Sequence, residues 1–308
     1  MRMRMFKSLV FLSLAICLAA PTLHGQQRAD MASVAEEGAG TETFVLISGM
    51  VGGVAGYRRL ATLLVAHGYR VIVVDPYGLS LDSMDVSFAA MARRVDAVLN
   101  ARGVGGARVV AHSQGAGVAL RLAARSPDRV RALYFLDAGA QAVNRGPTLS
   151  ASLRLVPLLT RVPAGRSFVR GRFVAALRRN AARQQWLDLE TQRAYTEPVL
   201  SSIDRAVAMA FRLANAEEPE SLVTVLRRVH TPVTVLLGAA PHETDAGPEE
   251  LAALALLNPP VRIENLAGIG HFPHEEAPNE LLPLLVAPIA TAAPARRSRE
   301  EEASPFRY

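Results

Sequence analysis

Short runs of consecutive apolar residues alternate along the chain with longer segments whose apolar residues recur every three or four positions. The runs are typical of buried strands, and the longer segments are typical of amphipathic helices. The predicted strands are residues 43–47, 70–74, 108–111, 130–136, 232–237 and 262–266. The helices predicted around them are residues 57–67, 87–101, 115–125, 248–257 and 279–289. Continuously apolar strands separated by helices predict a doubly wound, mostly parallel α/β sheet that is covered on both faces.

The alternation of strands and helices stops between residues 141 and 230. The apolar spacing there predicts only helices, at residues 149–159, 168–179, 192–215 and 217–229. Arginine dominates the charge of the segment, at Arg166, Arg170, Arg172, Arg178, Arg179 and Arg183. This pattern favours a solvated helical face, and a basic rim for an acidic substrate or an anionic membrane surface is the alternative.

The two ends of the chain differ in composition from the rest. Residues 1–25 begin with three basic residues and continue into an apolar stretch that is shorter than the roughly 20 residues of a membrane span. They are therefore predicted to be a signal peptide for export to the periplasm or the medium, and an uncleaved membrane anchor is the alternative. Residues 26–42 are predicted to be a linker, and residues 291–308 a disordered tail.

The composition limits the classes of function. With 308 residues, of which 50% are hydrophobic, the chain can bury a large core in one domain with an insertion. The only cysteine, Cys17, lies in the predicted signal peptide, so neither a disulfide nor a thiolate metal site is expected in the mature chain. The formal net charge is +6, and part of it belongs to residues 1–25. The remaining excess is too small to predict nucleic-acid binding.

Residues 109–120 combine a strand, a sharp turn and a helix around a serine. Ser113 sits in the turn His112-Ser113-Gln114-Gly115, and Ala111 is the small residue two positions before it. A nucleophile elbow has this form, and it needs small neighbours because larger side chains would clash around the strained turn. The pattern therefore predicts Ser113 as a nucleophile.

A second motif lies far downstream, where the sequence GIGHFPHE covers residues 268–275. Together with the serine turn and the glycine-rich residues 48–53, it makes residues 43–287 resemble the α/β-hydrolase family. The resemblance implies an α/β-hydrolase sheet with a helical cap inserted after the sixth strand. The core would then be residues 43–140 and 231–290, and the cap residues 141–230. It also implies that His271 is the general base, whereas His112 packs behind the elbow and His274 belongs to the loop structure.

The carboxylate that would complete a catalytic triad is ambiguous. In the family, an aspartate usually stands three residues after the glycine that ends the penultimate strand, here Gly238, and that position is Pro241. Asp137, Glu243 and Asp245 are the available replacements. Asp137 directly follows a predicted strand, from which some family members supply their acid, and a strand end fixes a carboxylate better than a proline-containing loop. We therefore expect Asp137, with Glu243 as the alternative and a Ser-His dyad as the third option.

Acyl transfer also needs hydrogen-bond donors for the oxyanion of the tetrahedral intermediate. In the family, one donor is the backbone N–H after the nucleophile, here Gln114. The other comes from the loop after the first core strand, here Met50 with Val51 as the alternative. The family's His-Gly in that loop is replaced by Ser48-Gly49. The side chains of Met50 and Gln114 are expected to line the substrate pocket.

The resemblance implies hydrolysis of a carboxylic ester of a small or hydrophobic substrate, through an acyl-enzyme on Ser113. Amide hydrolases and carbon–carbon bond hydrolases use the same triad and are alternatives. A non-catalytic binding protein on the same scaffold is another alternative, which the missing aspartate at Pro241 favours. No cofactor and no metal site are expected, because the histidines are scattered along the sequence. The expected partner is a small-molecule substrate, with transient contact between the cap and a membrane or lipid surface as an open option.

Overall fold

The computed structural model describes residues 33–144, 146–147, 149–243, 251, 254 and 261–289. The strands of this part of the chain form one sheet in the order β1-β3-β2-β4-β5-β6-β7. They are β1 (Val34–Glu37), β2 (Thr43–Ile47), β3 (Arg70–Val74), β4 (Ala107–His112), β5 (Val130–Leu136), β6 (Val233–Gly238) and β7 (Arg262–Leu266). All neighbouring strands run parallel except β1 and β3, which are antiparallel. The predicted doubly wound, mostly parallel sheet is confirmed.

Helices cover both faces of this sheet. The α-helices of the described chain are α1 (Arg58–Ala66), α2 (Phe88–Ala101), α3 (Gly115–Arg125), α4 (Ala140–Asn144), α5 (Val156–Leu159), α6 (Pro163–Asn180), α7 (Leu189–Ser201), α8 (Ile203–Ala214), α9 (Leu222–Arg228), α10 (Pro273–Glu276) and α11 (Pro278–Val286). Alternate residues of the central strand β2 face opposite layers. Phe44 and Leu46 pack with α1 and α11, whereas Val45 and Ile47 pack with α2 and α3. Both faces of the sheet are therefore buried, as its continuous apolar strands require.

The first strand corrects the prediction of a linker over residues 26–42. Val34–Glu37 pairs antiparallel with β3 at the edge of the sheet. Its Glu36 carboxylate accepts hydrogen bonds from the Nε and Nη2 atoms of Arg70, at 2.8 and 2.6 Å. The strand is short and half polar, and contacts with residues distant in sequence hold it, so its own sequence pattern does not reveal it.

The segment between β5 and β6 is helical, as predicted, but its helices differ from the expectation. The single helix predicted over residues 192–215 is two helices, because Ser202 has a non-helical backbone (φ −130°, ψ 38°) between α7 and α8. The helix predicted over residues 217–229 is shortened to α9. Five strands of the described chain precede the segment, so it follows the fifth strand there and not the sixth. The apolar spacing continues through the break at Ser202, which is why the sequence pattern does not show it.

Several predictions lie outside the described residues. They concern the signal peptide, Cys17, the tail over residues 291–308, the candidate acid Asp245 and most of the helix over residues 248–257. Among the described residues, no helix combines the length and the apolar character that a membrane crossing needs.

Candidate active site

Ser113 occupies a strained turn at the end of β4. Its φ of 50° lies in the left-handed region, which costs a non-glycine residue about 1–2 kcal/mol. Gly115 begins α3 two residues later. A Cβ atom on Gly115 would lie 2.5 Å from the backbone oxygen of Ser48 and 2.9 Å from that of Ile47. Glycine is therefore required for α3 to start so close to the end of β2, and the predicted nucleophile elbow is present as a backbone structure.

Asp137 occupies the same kind of position on the neighbouring strand. It directly follows β5, and its φ is 48°. Ser113 and Asp137 are the two non-glycine residues with positive φ in the described part of the chain. The backbone N–H of Ser113 donates to the oxygen of Leu136 at 3.0 Å, which ties the serine turn to the residue before Asp137. The two predicted site residues thus lie side by side at the carboxyl edge of the sheet, where open α/β sheets place their ligand sites.

His271 reaches Asp137 from the loop after β7. Its Nδ1 atom donates to Oδ2 of Asp137 at 2.6 Å, and the backbone N–H of Gly238 donates to Oδ1 at 2.9 Å. Burial alone would raise the pKa of Asp137, but hydrogen bonds from His242 and His271 outweigh it and hold this pKa below its ordinary value. Asp137 is therefore an ionised, fully hydrogen-bonded partner of His271.

The alternative acid Glu243 lies elsewhere. Its side chain is 56% exposed and accepts a hydrogen bond from Nε of Arg179 at 2.8 Å. Among the hydrogen bonds of the described residues, none joins Glu243 to His271. Of Asp137 and Glu243, Asp137 is thus the one in contact with the predicted base.

His112 and His274 form a wall behind His271. The Nε2 atom of His112 donates to the backbone oxygen of His271 at 2.7 Å, and the His274 ring packs on those of His112 and Tyr57. Burial, reinforced by His274 and His271, holds the pKa of His112 well below its ordinary value. Burial and the neighbouring His271 lower the pKa of His274 to about 3. Both rings are therefore neutral at physiological pH, in agreement with their predicted structural roles.

Glu276 fixes the backbone of the histidine loop, and the sequence analysis does not single it out. Its carboxylate accepts hydrogen bonds from four backbone N–H groups, those of Gly270, Phe272, Ala182 and Arg183. The backbone oxygen of Asn180, the last residue of α6, accepts from the N–H of His271 at 2.7 Å. These bonds attach the loop to the helical segment, which lies roughly ninety residues earlier in the sequence. No local sequence motif predicts such a contact.

The loop of residues 48–53 lies against the serine turn. A Cβ atom on Gly49 would lie 3.0 Å from Nδ1 of His112 and 3.4 Å from Cβ of Ser113, so the loop backbone passes close to the serine. The hydroxyl of Ser48 donates to Oδ1 of Asp75 at 3.2 Å, and this bond ties the start of the loop to the end of β3. Met50, the predicted oxyanion donor, follows Gly49 directly, and its side chain is 40% exposed.

A cavity of about 370 Å³ adjoins this loop. Its walls are the loop itself, the residues after β3 and the facing sides of α7 and α8. Met50 is the predicted site residue in this lining. Tyr195 of α7 closes one side, since a Cβ atom on Gly52 would lie 2.8 Å from the tyrosine ring. A larger cavity of about 720 Å³, between residues 144 and 221, contains none of the predicted site residues.

His242 is the second functional candidate that the sequence analysis does not single out. Its Nε2 atom lies 2.8 Å from Oδ2 of Asp137, and its Nδ1 atom lies 2.8 Å from the backbone oxygen of Ala240. Asp137, His242 and His271 thus place three atoms of metal-ligand type within 4.8 Å of one another. Two histidines and a carboxylate are a donor set that suits Zn²⁺ or Fe²⁺. The two histidines are far apart in the sequence, and the ends of different strands bring them together.

The buried carboxyl group of Glu275 makes stability depend on pH. It accepts a hydrogen bond from the hydroxyl of Tyr195 at 3.0 Å, and Nε of Arg59 lies 3.3 Å from it. Burial raises the pKa of Glu275 from an ordinary 4.5 to about 8, because the hydrogen bond and the arginine offset only part of the cost of burial. The folded protein therefore retains a proton that the unfolded chain releases, and the free energy of unfolding falls across this pH range.

We expect this fall to amount to about 3–4 kcal/mol between pH 5 and pH 8, and to be absent in Glu275→Gln. The measurement is urea unfolding of both proteins at several pH values, in which the difference in unfolding free energy (variant minus wild type) should increase with pH. A difference that stays constant from pH 5 to pH 8 would show that Glu275 titrates alike in the folded and unfolded states.

Comparison with known proteins identifies the family. The model of the alpha/beta hydrolase fold family matches residues 42–216, which is more than half of the chain. The chain therefore belongs to the α/β-hydrolase family.

Individual relatives are more distant. A putative carbamate hydrolase, RutD of Azorhizobium caulinodans, is 36% identical over 108 residues, which are 34% of this chain and 40% of that protein. The sn-1-specific diacylglycerol lipase ABHD11 of Mus musculus is 23% identical over 86% of this chain and 89% of its own length. Among solved structures, Cfl2 of Burkholderia cenocepacia is similar with a TM-score of 0.61 and 19% identity, over 82% of this chain and 91% of that one. The chain is thus similar to hydrolases.

Proposed function

We propose that this hydrolase is a serine esterase that forms an acyl-enzyme on Ser113. The observation that carries the proposal is the hydrogen bond from His271 to Asp137, at the sheet edge where Ser113 occupies its strained turn. A nucleophile, a base and a carboxylate from three successive parts of the chain, in the order Ser, Asp, His, are the arrangement that this fold uses for acyl transfer.

Each of these residues has a defined chemical task. Because Nδ1 of His271 donates to Asp137, its Nε2 atom is the basic nitrogen and takes the hydroxyl proton as Ser113 attacks the ester carbonyl. Asp137 stabilises the imidazolium that forms. The backbone N–H groups of Gln114 and Met50 stabilise the oxyanion. His271 then returns the proton to the leaving alcohol, and a water molecule releases the acid by the reverse sequence of proton transfers.

The cavity beside Met50 supports an uncharged or hydrophobic substrate. Its walls include Met50, Val51 and Leu81 on the side of the sheet, and Val199, Met209 and Leu213 on the helices. We propose that α7 and α8 act as the cap of the site and that this cavity receives the acyl or alcohol portion of the ester. The names of the two relatives, a carbamate hydrolase and a diacylglycerol lipase, support cleavage next to a carbonyl group.

The alternatives have less support. The binding-protein hypothesis depends on the absence of the usual aspartate near Pro241, and the contact between Asp137 and His271 counts against it. Amide and carbon–carbon bond hydrolysis use the same triad. The test is hydrolysis of p-nitrophenyl esters from acetate to decanoate by the wild-type protein. We expect turnover of at least one chain length, and the absence of turnover with all of them would contradict the ester assignment.

We also propose that the start of the helical segment contacts an anionic lipid surface. Leu155, Leu158, Val162 and Phe168 are exposed by 59%, 59%, 56% and 61%, respectively, and Leu159 by 45%. We call these five residues the apolar surface. Residues 138–187 contain no aspartate or glutamate, and among their arginines Arg154, Arg161, Arg172, Arg178 and Arg179 are exposed. Exposed apolar side chains among exposed arginines are the chemistry that inserts into a negatively charged lipid interface.

The double variant Leu158→Glu, Phe168→Glu should bind such lipid at least about tenfold more weakly, since it loses two apolar groups and adds two repelled charges. The measurement is co-sedimentation with vesicles of phosphatidylglycerol and phosphatidylcholine, and with vesicles of phosphatidylcholine alone. Met84→Glu is the control, because Met84 is 87% exposed and does not belong to the apolar surface. Equal binding of both vesicle types, or unchanged binding of the double variant, would contradict this contact.

A further inference from the structure

We infer that the ring of Tyr195, a residue of α7, fixes the loop of residues 48–53 and with it the proposed oxyanion donor Met50. Tyr195 is thus a positioning residue, which acts on the reaction through the backbone of that loop. This inference rests on the proposed function for its kinetic consequence, whereas the contact between the tyrosine ring and the loop does not depend on that function.

The ring of Tyr195 lies directly on the turn of residues 52–56, where this loop ends. A Cβ atom on Gly52 would lie 2.8 Å from Cε1 of the tyrosine, and a Cβ atom on Gly56 would lie 2.8 Å from its hydroxyl oxygen. The backbone N–H of Gly56 donates to the oxygen of Gly52 at 2.9 Å, so both glycines belong to one hydrogen-bonded turn. Residues without a side chain allow the ring to come this close to the backbone. The ring therefore prevents the turn from moving towards α7.

The histidine loop holds the same ring from the other side. The hydroxyl of Tyr195 donates to Oε1 of Glu275 at 3.0 Å. Burial, reinforced by Glu275, raises the pKa of Tyr195 well above its ordinary value, so the hydroxyl remains a donor. The ring of Phe272 meets that of Tyr195 edge to face, at a centroid distance of 6.4 Å. The tyrosine, which is only 2% exposed, cannot turn away from the loop without breaking these buried contacts.

One apolar cluster joins the three parts of the chain that meet here. Val51, which is partly buried, packs against the cluster that contains Tyr195 and Phe272. Val51 follows the proposed oxyanion donor Met50, and Phe272 follows the proposed base His271. Because protein interiors are close-packed, the position of the tyrosine ring determines how both loops lie.

The consequence concerns the transition state more than the bound ester. An oxyanion donor must lie within about 3 Å of the oxyanion, and removal of one such donor costs about 10²- to 10³-fold in kcat. Without the support of Tyr195, the backbone N–H of Met50 would leave a position that is used only when the oxyanion forms. We therefore expect a loss of kcat with little change in KM.

The kinetic test compares Tyr195→Leu, which removes the ring, with Tyr195→Phe, which retains it. The values of kcat and KM are measured with p-nitrophenyl acetate. We expect kcat to fall about 10²-fold in Tyr195→Leu, with KM within about threefold of wild type, and to stay within about fivefold in Tyr195→Phe. A trifluoromethyl ketone forms an oxyanion on the nucleophilic serine, so its inhibition constant should rise in Tyr195→Leu by about the factor by which kcat falls.

Tyr134→Leu is the control for the loss of a buried tyrosine. Tyr134 lies in β5, and its hydroxyl accepts from Nη1 of Arg108. This variant should lose stability but keep kcat within about twofold of wild type, and thermal unfolding verifies that each variant is folded. The inference would be overturned if a folded Tyr195→Leu kept the wild-type kcat, if its effect lay in KM alone, or if Tyr195→Phe lost as much activity.

Gly56→Ala tests the same contact from the side of the loop and leaves the ring in place. The φ of Gly56 lies outside the left-handed region, so the backbone accepts alanine there. The new Cβ atom would meet the hydroxyl oxygen of Tyr195 at 2.8 Å, whereas the next ring atom is 3.3 Å away. We expect kcat to fall about tenfold in Gly56→Ala and to recover when Tyr195→Phe is added. Equal effects of Gly56→Ala with tyrosine and with phenylalanine at position 195 would count against the inference.

Hydrogen–deuterium exchange tests the contact without enzymatic activity. Amides in loops exchange through local opening, so the support of a loop can be measured directly. We expect the peptide of residues 48–57 to exchange at least about fivefold faster in Tyr195→Leu than in wild type or Tyr134→Leu. Unchanged exchange, or equal acceleration in Tyr134→Leu, would overturn the inference even in a protein that hydrolyses esters. Faster exchange in Tyr195→Leu, in a protein whose wild type has no esterase activity, would instead contradict the proposed function alone.

Discussion

Replacing Ser113 by alanine lowers kcat/KM for p-nitrophenyl esters by about 10⁴-fold or more. The hydroxyl is the atom that forms the bond to the acyl group, and no other side chain can take its place on the strained turn after β4. The remaining activity would come from substrate binding and the oxyanion donors alone. The fold should persist, because alanine differs from serine only by the hydroxyl and retains the same backbone.

The control for this variant is Ser167→Ala, which changes an exposed serine of α6 in the same way. Its kcat/KM should stay within about twofold of the wild-type value, as is usual for surface substitutions. Thermal unfolding of the three proteins verifies that the folded fraction is equal. If Ser113→Ala retained full esterase activity, Ser113 could not be the nucleophile and the mechanism proposed above would fail.

Replacing Asp137 by asparagine lowers kcat by about 10²- to 10⁴-fold. The amide removes the negative charge that stabilises the imidazolium of His271, and it permits the ring to adopt the wrong tautomer. It also removes the charge that faces His242, so the hydrogen bonds at 2.6 and 2.8 Å are both weakened. Steady-state kinetics at several pH values measure the effect.

Glu243→Gln is the matched control for this variant, because it makes the same chemical change at the alternative acid. Its kcat should remain within about twofold of wild type, since Glu243 is exposed and paired with Arg179. The opposite result, with activity lost in Glu243→Gln and retained in Asp137→Asn, would identify Glu243, in the loop after β6, as the acid of the triad. Loss in neither variant would favour a Ser-His dyad.

Local sequence patterns predict the parts of the fold that local physics determines. The central strands are continuously apolar because both faces of a parallel sheet are buried, so β2 to β5 are found within one or two residues of their ends. The serine turn is predicted for the same reason, since its strain and its close approach to β2 demand small residues at fixed spacing. His271 is predicted only through the resemblance of its loop to the family motif.

Contacts between distant parts of the chain are what the sequence does not reveal. Glu276 binds backbone N–H groups of the segment directly after α6, and any buried carboxylate could do so without a recognisable motif. His242 meets Asp137 because β5 and β6 are neighbours in the sheet, although 105 residues separate the two. Asp137, which the end of a strand holds in place, is the carboxylate that contacts His271, as its position in the sequence predicts. The catalytic role of Asp137 stays a prediction.

Covalent labelling with a fluorophosphonate tests the central claim most directly, because this reagent reacts only with a serine whose hydroxyl is activated by a neighbouring base. The account predicts a single label per chain, located on Ser113 by mass spectrometry of peptides. Labelling should be absent in Ser113→Ala and strongly slowed in His271→Ala. A wild-type protein that takes up no label, or takes it up on another serine, would contradict the account.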